Sequence, residues 1–165
     1  MRKRLNKASD FEGQGATNYK AIEAVARRYA VGVSPDSIEA MKSLDPIADP
    51  VARQYIPQLQ ELQITPQESP DPIGDDAHSP VKGIIHRYPE RVLFSPVNVC
   101  AVYCRYCFRR EKVGPGKDVL NKQERAAALD YIRNNTDVWE VILTGGDPLV
   151  LSPRQLSEII DELNT

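Results

Sequence analysis

Apolar positions along the chain recur first with a helical period and later in short continuous runs. In TNYKAIEAVARRYAV, Ile22, Val25, Ala26 and Tyr29 stand three and four apart, which predicts a helix with Thr17 as its N-cap. SPDSIEAMKSL opens with Ser34 as N-cap and Pro35 at the first helical position. DPVARQYIP repeats that start with Asp49 and Pro50, and Pro57 ends it. Residues 1–62 therefore read as an N-terminal helical region. Residues 63–90 are rich in Pro, Asp and Gly and read as an extended connection with little regular structure.

From residue 91 the rhythm changes. RVLFSP predicts a short buried strand, and NKQERAAALDYIRNN predicts an amphipathic helix offering Ala126, Ala127, Leu129, Tyr131 and Ile132 to its apolar face. VWEVILTGGDP predicts a second strand that ends in a double glycine. LSPRQLSEIIDELN predicts a second helix, with Ser152 and Gln155 spaced as a capping box and Pro153 at its first position. The order strand, helix, strand, helix over residues 91–165 predicts an α/β fold, with loops after the strands as the place for chemistry. Two parallel strands leave a sheet edge exposed, so the expectation is the front part of something longer.

Composition changes this picture little. The chain is 41% hydrophobic and 27% charged, as a globular protein is, and its net charge of −2 gives no general attraction to nucleic acid or anionic lipid. Its apolar runs are too short to span a bilayer, and the basic N-terminus MRKRLNKASDFEGQ has no apolar segment after it, unlike a secretory signal. A cytoplasmic, reducing compartment is the expectation.

The cysteines do change it. All three lie within CAVYCRYC, as Cys100, Cys104 and Cys107. Three clustered thiols in a reducing compartment point to a metal centre more than to disulfides. A tetrahedral zinc site would need a fourth ligand, for which His78 or His86 are the candidates. An iron–sulfur cubane on three cysteines instead keeps one iron open for a small molecule. Tyr106, before the third cysteine, could pack against a bound adenine. Arg105, Arg109, Arg110 and Lys112 make the loop locally basic.

The spacing C-x3-C-x-aromatic-C resembles that of radical S-adenosylmethionine enzymes. The longer stretches HRYPERVLFSPVNVCAVYCRYCFRREKVG and EVILTGGDPLVLS resemble the lysine 2,3-aminomutase family, and the likeness extends back through DPIGDDAHSPVKGIIHRYP. The resemblance implies a fold of N-terminal helices followed by the first two βα units of a partial (β/α)6 radical SAM barrel, truncated. It implies three cofactors: a [4Fe–4S] cluster, S-adenosylmethionine and pyridoxal phosphate. Cys100, Cys104 and Cys107 would ligate the cluster, and Gly145, Gly146 and Asp147 would meet the amino group of the S-adenosylmethionine. Arg87 and Arg91, helped by Tyr88, would grip the phosphate of pyridoxal phosphate at the end of the connector. Arg109 would pair with the substrate carboxylate.

The implied reaction is a radical 1,2-amino migration that turns L-lysine into β-lysine, an isomerisation. Relatives that use other amino acids, or that serve elongation-factor modification, are the alternatives, together with a small zinc-binding module without catalysis. No lysine of this chain matches the one that carries pyridoxal phosphate in the family, and no residue is assigned a catalytic role. The expected partner is a small amino acid, with no nucleic acid and no membrane. A homo-oligomer is expected for a full-length protein only.

Overall fold

The computed structural model describes residues 4–12, 19–116 and 119–164. The backbone divides into two compact units, one of Met1–Pro70 with Ala101–Gly114, the other of Asp71–Cys100 with Pro115–Thr165.

Among the described residues the first unit holds four short helices, α1 (Ala8–Glu12), α2 (Tyr19–Ala26), α3 (Pro35–Glu39) and α4 (Ala52–Tyr55), followed by a 3-10 turn at Leu59–Leu62. Helices of this length are not stable by themselves. They are held by a shared core of Leu5, Phe11, Ile22, Val31, Val33, Ile38, Ala52 and Ile56. In α2 the buried residues are Ala21, Ile22 and Val25, whereas Ala26 is exposed. Tyr29 is buried beyond the helix end, and the expected cap Thr17 lies outside the described residues. Ser34 caps α3 by accepting from the Ser37 N–H at 3.1 Å, with Pro35 at the first position.

Asp49 is the polar centre of this unit and is buried. Its Oδ1 accepts the N–H groups of Val51 and Ala52 at 2.8 and 2.9 Å, and its Oδ2 accepts those of Lys42 and Ser43 at 2.7 and 3.3 Å. One carboxylate thereby starts α4 and closes the loop after α3. These N–H groups, that of Ala52 foremost, hold its pKa below the usual carboxylate value. Ile56 then leaves the helix in extended conformation, as the residue before Pro57 must.

The second unit is α/β. Its sheet has three strands, β1 (Ile84–Tyr88), β2 (Arg91–Val97) and β3 (Glu140–Gly145), in the order β1-β2-β3. β1 and β2 form an antiparallel hairpin across Pro89 and Glu90, and β2 pairs parallel with β3. Helix α5 (Lys122–Asn134) joins β2 to β3, and α6 (Pro153–Leu163) follows a 3-10 turn at Pro148–Val150. Strand β1 departs from expectation, because it lies inside the stretch that reads as irregular connector. IIHRY becomes a strand through the hairpin turn, which pairs Ile84 with Phe94 and Ile85 with Leu93.

Both long helices are capped as their sequences specify, by Asn121 with Glu124 and by Ser152 with Gln155. The buried face of α5 is shifted from the expected one. Ala128 and Leu129 are buried and Tyr131 and Ile132 half-buried, while Ala126 and Ala127 face solvent. Residues 128, 131 and 132 follow the i, i+3, i+4 rule, and that places 126 and 127 on the far side. They pack with Ile84, Val92, Phe94, Val141, Leu143 and Ile159 as the second core. Among the described residues no helix is long and apolar enough to cross a membrane.

The turn after β3 continues the parallel pairing with β2 past the strand ends. Gly146 N–H donates to the Val97 carbonyl at 2.8 Å and Asp147 N–H to the Val99 carbonyl at 2.9 Å. This approach requires glycine twice. Gly145 has φ +99°, and a Cβ there would lie 2.5 Å from the Ser95 Cβ. A Cβ on Gly146 would lie 2.4 Å from the Val99 carbonyl oxygen and 2.6 Å from its nitrogen, both backbone atoms that cannot swing away.

Three substitutions have expected outcomes. Gly145→Ala should lower stability by roughly 1–3 kcal/mol through backbone strain alone, and Gly146→Ala should likewise be destabilising, both measured by urea unfolding of the 165-residue chain. Asp49→Asn should be destabilising at neutral pH, because an amide accepts on one side only. A carboxylate whose folded pKa is depressed stabilises above its unfolded pKa and loses that contribution as pH falls through the folded value. The gap between Asp49→Asn and the original chain should therefore narrow below about pH 4; a gap constant down to pH 2 would contradict the assignment.

Candidate functional site

The cysteine loop begins where β2 ends. Val97, Val99 and the turn at Gly145–Asp147 fix the backbone just before Cys100, within the second unit. Residues 101–114 belong to the first unit and are tied into it at two backbone points. Tyr103 N–H donates to the Gly32 carbonyl at 2.9 Å and Arg105 N–H to the Gln54 carbonyl at 2.7 Å. Tyr103 is buried, and its ring lies 3.0 Å from where a Cβ on Gly32 would stand. Cys104 and Cys107 sit across one turn, with Cys107 N–H donating to the Cys104 carbonyl at 3.2 Å.

Arg105 is the anchor of that turn. Its Nε donates to both carboxylate oxygens of Glu61 at 3.1 Å, its Nη2 donates to Glu61 Oε2, and its Nη1 donates to the Ala30 carbonyl at 2.9 Å. The two side chains are 8% and 12% exposed, so this is a buried ion pair. Sequence reading counted Arg105 in a basic patch and gave Glu61 no role. The partners are 44 residues apart, and no local pattern links them.

The other cations of the loop are also engaged. Arg110 lies over the Tyr29 ring at 4.5 Å and pairs with Glu68 at 3.3 Å. Arg28 lies over the same ring at 4.9 Å and pairs with Glu111 at 3.4 Å. Burial raises the Tyr29 phenol above its usual pKa, against the lowering effect of Arg110. Arg109 lies over the Phe108 ring at 4.6 Å. The Tyr106 phenol is also raised, first by its hydrogen bond to the Cys104 side chain and then by the charge of that group. Its ring is 69% exposed.

None of the three thiols is in a disulfide, and each is partly exposed. Three thiols on one loop, two of them across a single turn, suit a soft metal or an iron–sulfur centre by the chemistry of the donors. Among the described residues no group of three or more His, Cys, Asp or Glu side chains stands close enough to hold a metal ion. His86, a candidate fourth zinc ligand, has Nδ1 2.7 Å from the Tyr131 hydroxyl and Nε2 3.4 Å from the Pro89 carbonyl. His78 lies in the 3-10 turn Asp76–His78 of the second unit.

The sheet presents two unlike faces. Ile84 and His86 of β1 meet α5, so by strand alternation Ile85 lies on the opposite face, with Leu93 of β2 and Ile142 of β3, and the register then shifts between Ile85 and Tyr88. Arg87 is tethered by one nitrogen. Its Nη2 donates to the Ile73 carbonyl at 2.6 Å and to Oδ1 of the buried Asp75 at 3.4 Å. Asp75 carried no role in the sequence reading either. Arg91 stands opposite Tyr88 at the hairpin, 6.0 Å from its ring, and pairs with Glu90 at 3.1 Å and Glu140 at 3.5 Å. Of the expected cofactor residues, Gly145, Gly146 and Asp147 serve the fold first. Asp147 Oδ1 accepts the Leu149 N–H at 3.0 Å and caps the turn that follows.

Comparison with known proteins gives the chain a family. Residues 94–163 match the Radical SAM superfamily model. The chain is 44% identical to the L-lysine 2,3-aminomutase of Methanococcus maripaludis over 117 residues, 71% of this chain and 27% of that protein. It is 39% identical to the L-lysine 2,3-aminomutase of Clostridium subterminale over 144 residues, 87% of this chain and 34% of that protein. It is 34% identical to the glutamate 2,3-aminomutase of Clostridioides difficile over 142 residues, 86% of this chain and 33% of that protein. The chain spans about a third of the length of these curated relatives. With likeness running through the helices, the hairpin and the cysteine loop alike, the chain belongs to the lysine 2,3-aminomutase family of radical SAM proteins.

Proposed function

We propose that this chain is the cluster-holding part of an amino acid 2,3-aminomutase that converts L-lysine to β-lysine in the cytoplasm. The observation that carries the reading is the junction of β2 and β3. Two parallel strands bring the segment that leads into Cys100 against a Gly-Gly-Asp turn, bonded through Val97 and Val99. A glycine turn pressed against the start of a cysteine loop lets a small ligand reach backbone and metal ligands together. The fold is the opening of a partial (β/α)6 barrel, with β2 and β3 as its first two parallel strands.

The roles follow the chemistry of each side chain. Cys100, Cys104 and Cys107 hold the cluster as thiolates. The backbone of Gly145 and Gly146 and the carboxylate of Asp147 bind the amino group of S-adenosylmethionine, and the exposed Tyr106 ring lies ready for its adenine. Arg87 is held by Nη2, while its Nε and Nη1 have no partner among the described residues. These two nitrogens donate to phosphate oxygens one at a time, because Cδ lies between their N–H directions. Tyr88 is the next residue and Arg91 stands across the hairpin turn, and the two complete the grip on pyridoxal phosphate. Arg109 pairs with the substrate carboxylate. When bound, the cluster and S-adenosylmethionine supply a carbon-centred radical and pyridoxal phosphate makes the amino group mobile. The protein orients these groups and assembles as a homo-oligomer when full-length.

A second substrate is favoured by one observation, the 34% identity to a glutamate 2,3-aminomutase. Mass spectrometry of the protein carrying this chain, supplied with isotope-labelled L-lysine or L-glutamate under anaerobic reducing conditions, decides between them. Labelled β-lysine supports the reading, and labelled β-glutamate alone replaces the substrate. Anaerobic reconstitution should give the 165-residue chain iron and sulfide in equal amounts and a brown colour. Cys100→Ala, Cys104→Ala and Cys107→Ala should each lose most of that iron; zinc binding to a colourless chain would overturn the cluster assignment.

A further inference from the structure

We propose that Glu61 is a positioning residue for Cys104 and Cys107, acting through Arg105. The inference rests on the cluster reading above, and goes beyond it by assigning a role outside the cysteine loop.

Glu61 sits at the third position of the 3-10 turn Leu59–Leu62 and does two things at once. Its Oε1 accepts the Gln58 N–H at 2.9 Å, which fixes the carboxylate to its own turn. The same carboxylate receives Nε and Nη2 of Arg105, whose remaining nitrogen Nη1 is spent on the Ala30 carbonyl. Every nitrogen of the guanidinium is therefore bonded, in a pocket where the side chains are 8% and 12% exposed. Arg105 follows Cys104 directly and precedes Cys107 by two residues, and its own N–H is fixed to the Gln54 carbonyl at 2.7 Å. A residue pinned at backbone and at side chain between two thiols sets the direction in which both leave the chain.

The buried location makes the carboxylate essential to this. An unpaired guanidinium is costly to bury, so without Glu61 the Arg105 side chain moves to water and takes the turn with it. Partners that orient a ligand without touching the metal are commonly worth 10–100-fold in affinity. The planar fork of arginine matters as well, because lysine could not bond Glu61 and Ala30 from one rigid group.

The test uses the 165-residue chain with its cluster rebuilt anaerobically from ferrous iron and sulfide. Glu61→Gln keeps an oxygen for the Gln58 N–H and removes the charge. It is compared with Arg105→Gln and with the double variant. The readouts are iron and sulfide bound per chain, visible absorption, and the rate at which a chelator strips the iron, with thermal unfolding by circular dichroism followed in parallel. Each single variant should lose iron roughly 10–100-fold faster, and the double variant should be no worse than the poorer single, since both act through one contact. A Glu61→Gln chain that holds iron as the original does overturns the proposal, as does a double variant whose loss is the product of the two.

Where Glu61→Gln shows no folded baseline, the exchanged pair Glu61→Arg with Arg105→Glu is measured against each of its single changes. Recovery of iron retention relative to those singles supports the proposal, and no recovery overturns it. Failure of the original chain to take up iron and sulfide would instead sink the cluster reading, and this role with it.

Discussion

The buried pair between Arg105 and Glu61 is the constraint on which the first unit depends. Four helices of four to eight residues and one 3-10 turn have too few internal hydrogen bonds to stand alone. Their apolar core gathers them, but the cysteine loop is the piece that completes the unit, through Tyr103 on Gly32 and Arg105 on Glu61, Gln54 and Ala30. Losing one member of a buried pair commonly costs about 3–5 kcal/mol, because the other is left charged and dry. A surface pair such as Arg154 with Glu158, 86% and 42% exposed, belongs to the class worth less than about 1 kcal/mol. The N-terminal helices are thus part of the machinery of the loop, and disturbance at Glu61 is felt at the thiols.

In the second unit the segment that leads into Cys100 is held by backbone. β2 and β3 do not stop pairing where the strands end, because Gly146 and Asp147 keep donating to Val97 and Val99. Side chains are excluded from that contact by distance, at 2.4–2.6 Å from Val99 for any Cβ on Gly146. Read alone, the double glycine looks like an ordinary strand-to-helix turn, and the geometry accounts for both glycines by internal packing. That reading and the cofactor role are compatible. A turn that must be bare to approach β2 also leaves backbone bare toward a ligand, so one requirement serves the other.

Elements whose signals are local were legible in the sequence. Ser34 with Pro35 and Ser152 with Gln155 each start a helix within two residues of where the pattern put it, since a cap is satisfied by N–H groups two or three residues away. Asp49 was legible as a cap for the same reason, but its bonds to Lys42 and Ser43 were not. Strand β1 was hidden because His86, Arg87 and Tyr88 are polar, and only pairing with β2 makes them a strand. Ala126 and Ala127 were placed on the wrong face of α5 because alanine carries too weak a preference to fix helix phase against Leu129 and Ile132. The thiols and the glycine turn were legible as types. Glu61 and Asp75 were not, as each is defined by an arginine far along the chain.

Those two acidic residues change what the arginines mean. The sequence makes residues 105–112 look like a positive patch, which would draw any anion by its field. In the structure, Glu61 neutralises Arg105, Glu68 and the Tyr29 ring hold Arg110, and Arg109 rests on Phe108. The field of the loop is largely compensated within its own unit, so a diffuse attraction is a poor account of how an anionic group would be chosen. Arg87 works by a different logic. Its Nη2 is bonded to the Ile73 carbonyl and to Asp75. A guanidinium tethered in this way donates in set directions, which is a more selective device than a diffuse positive field.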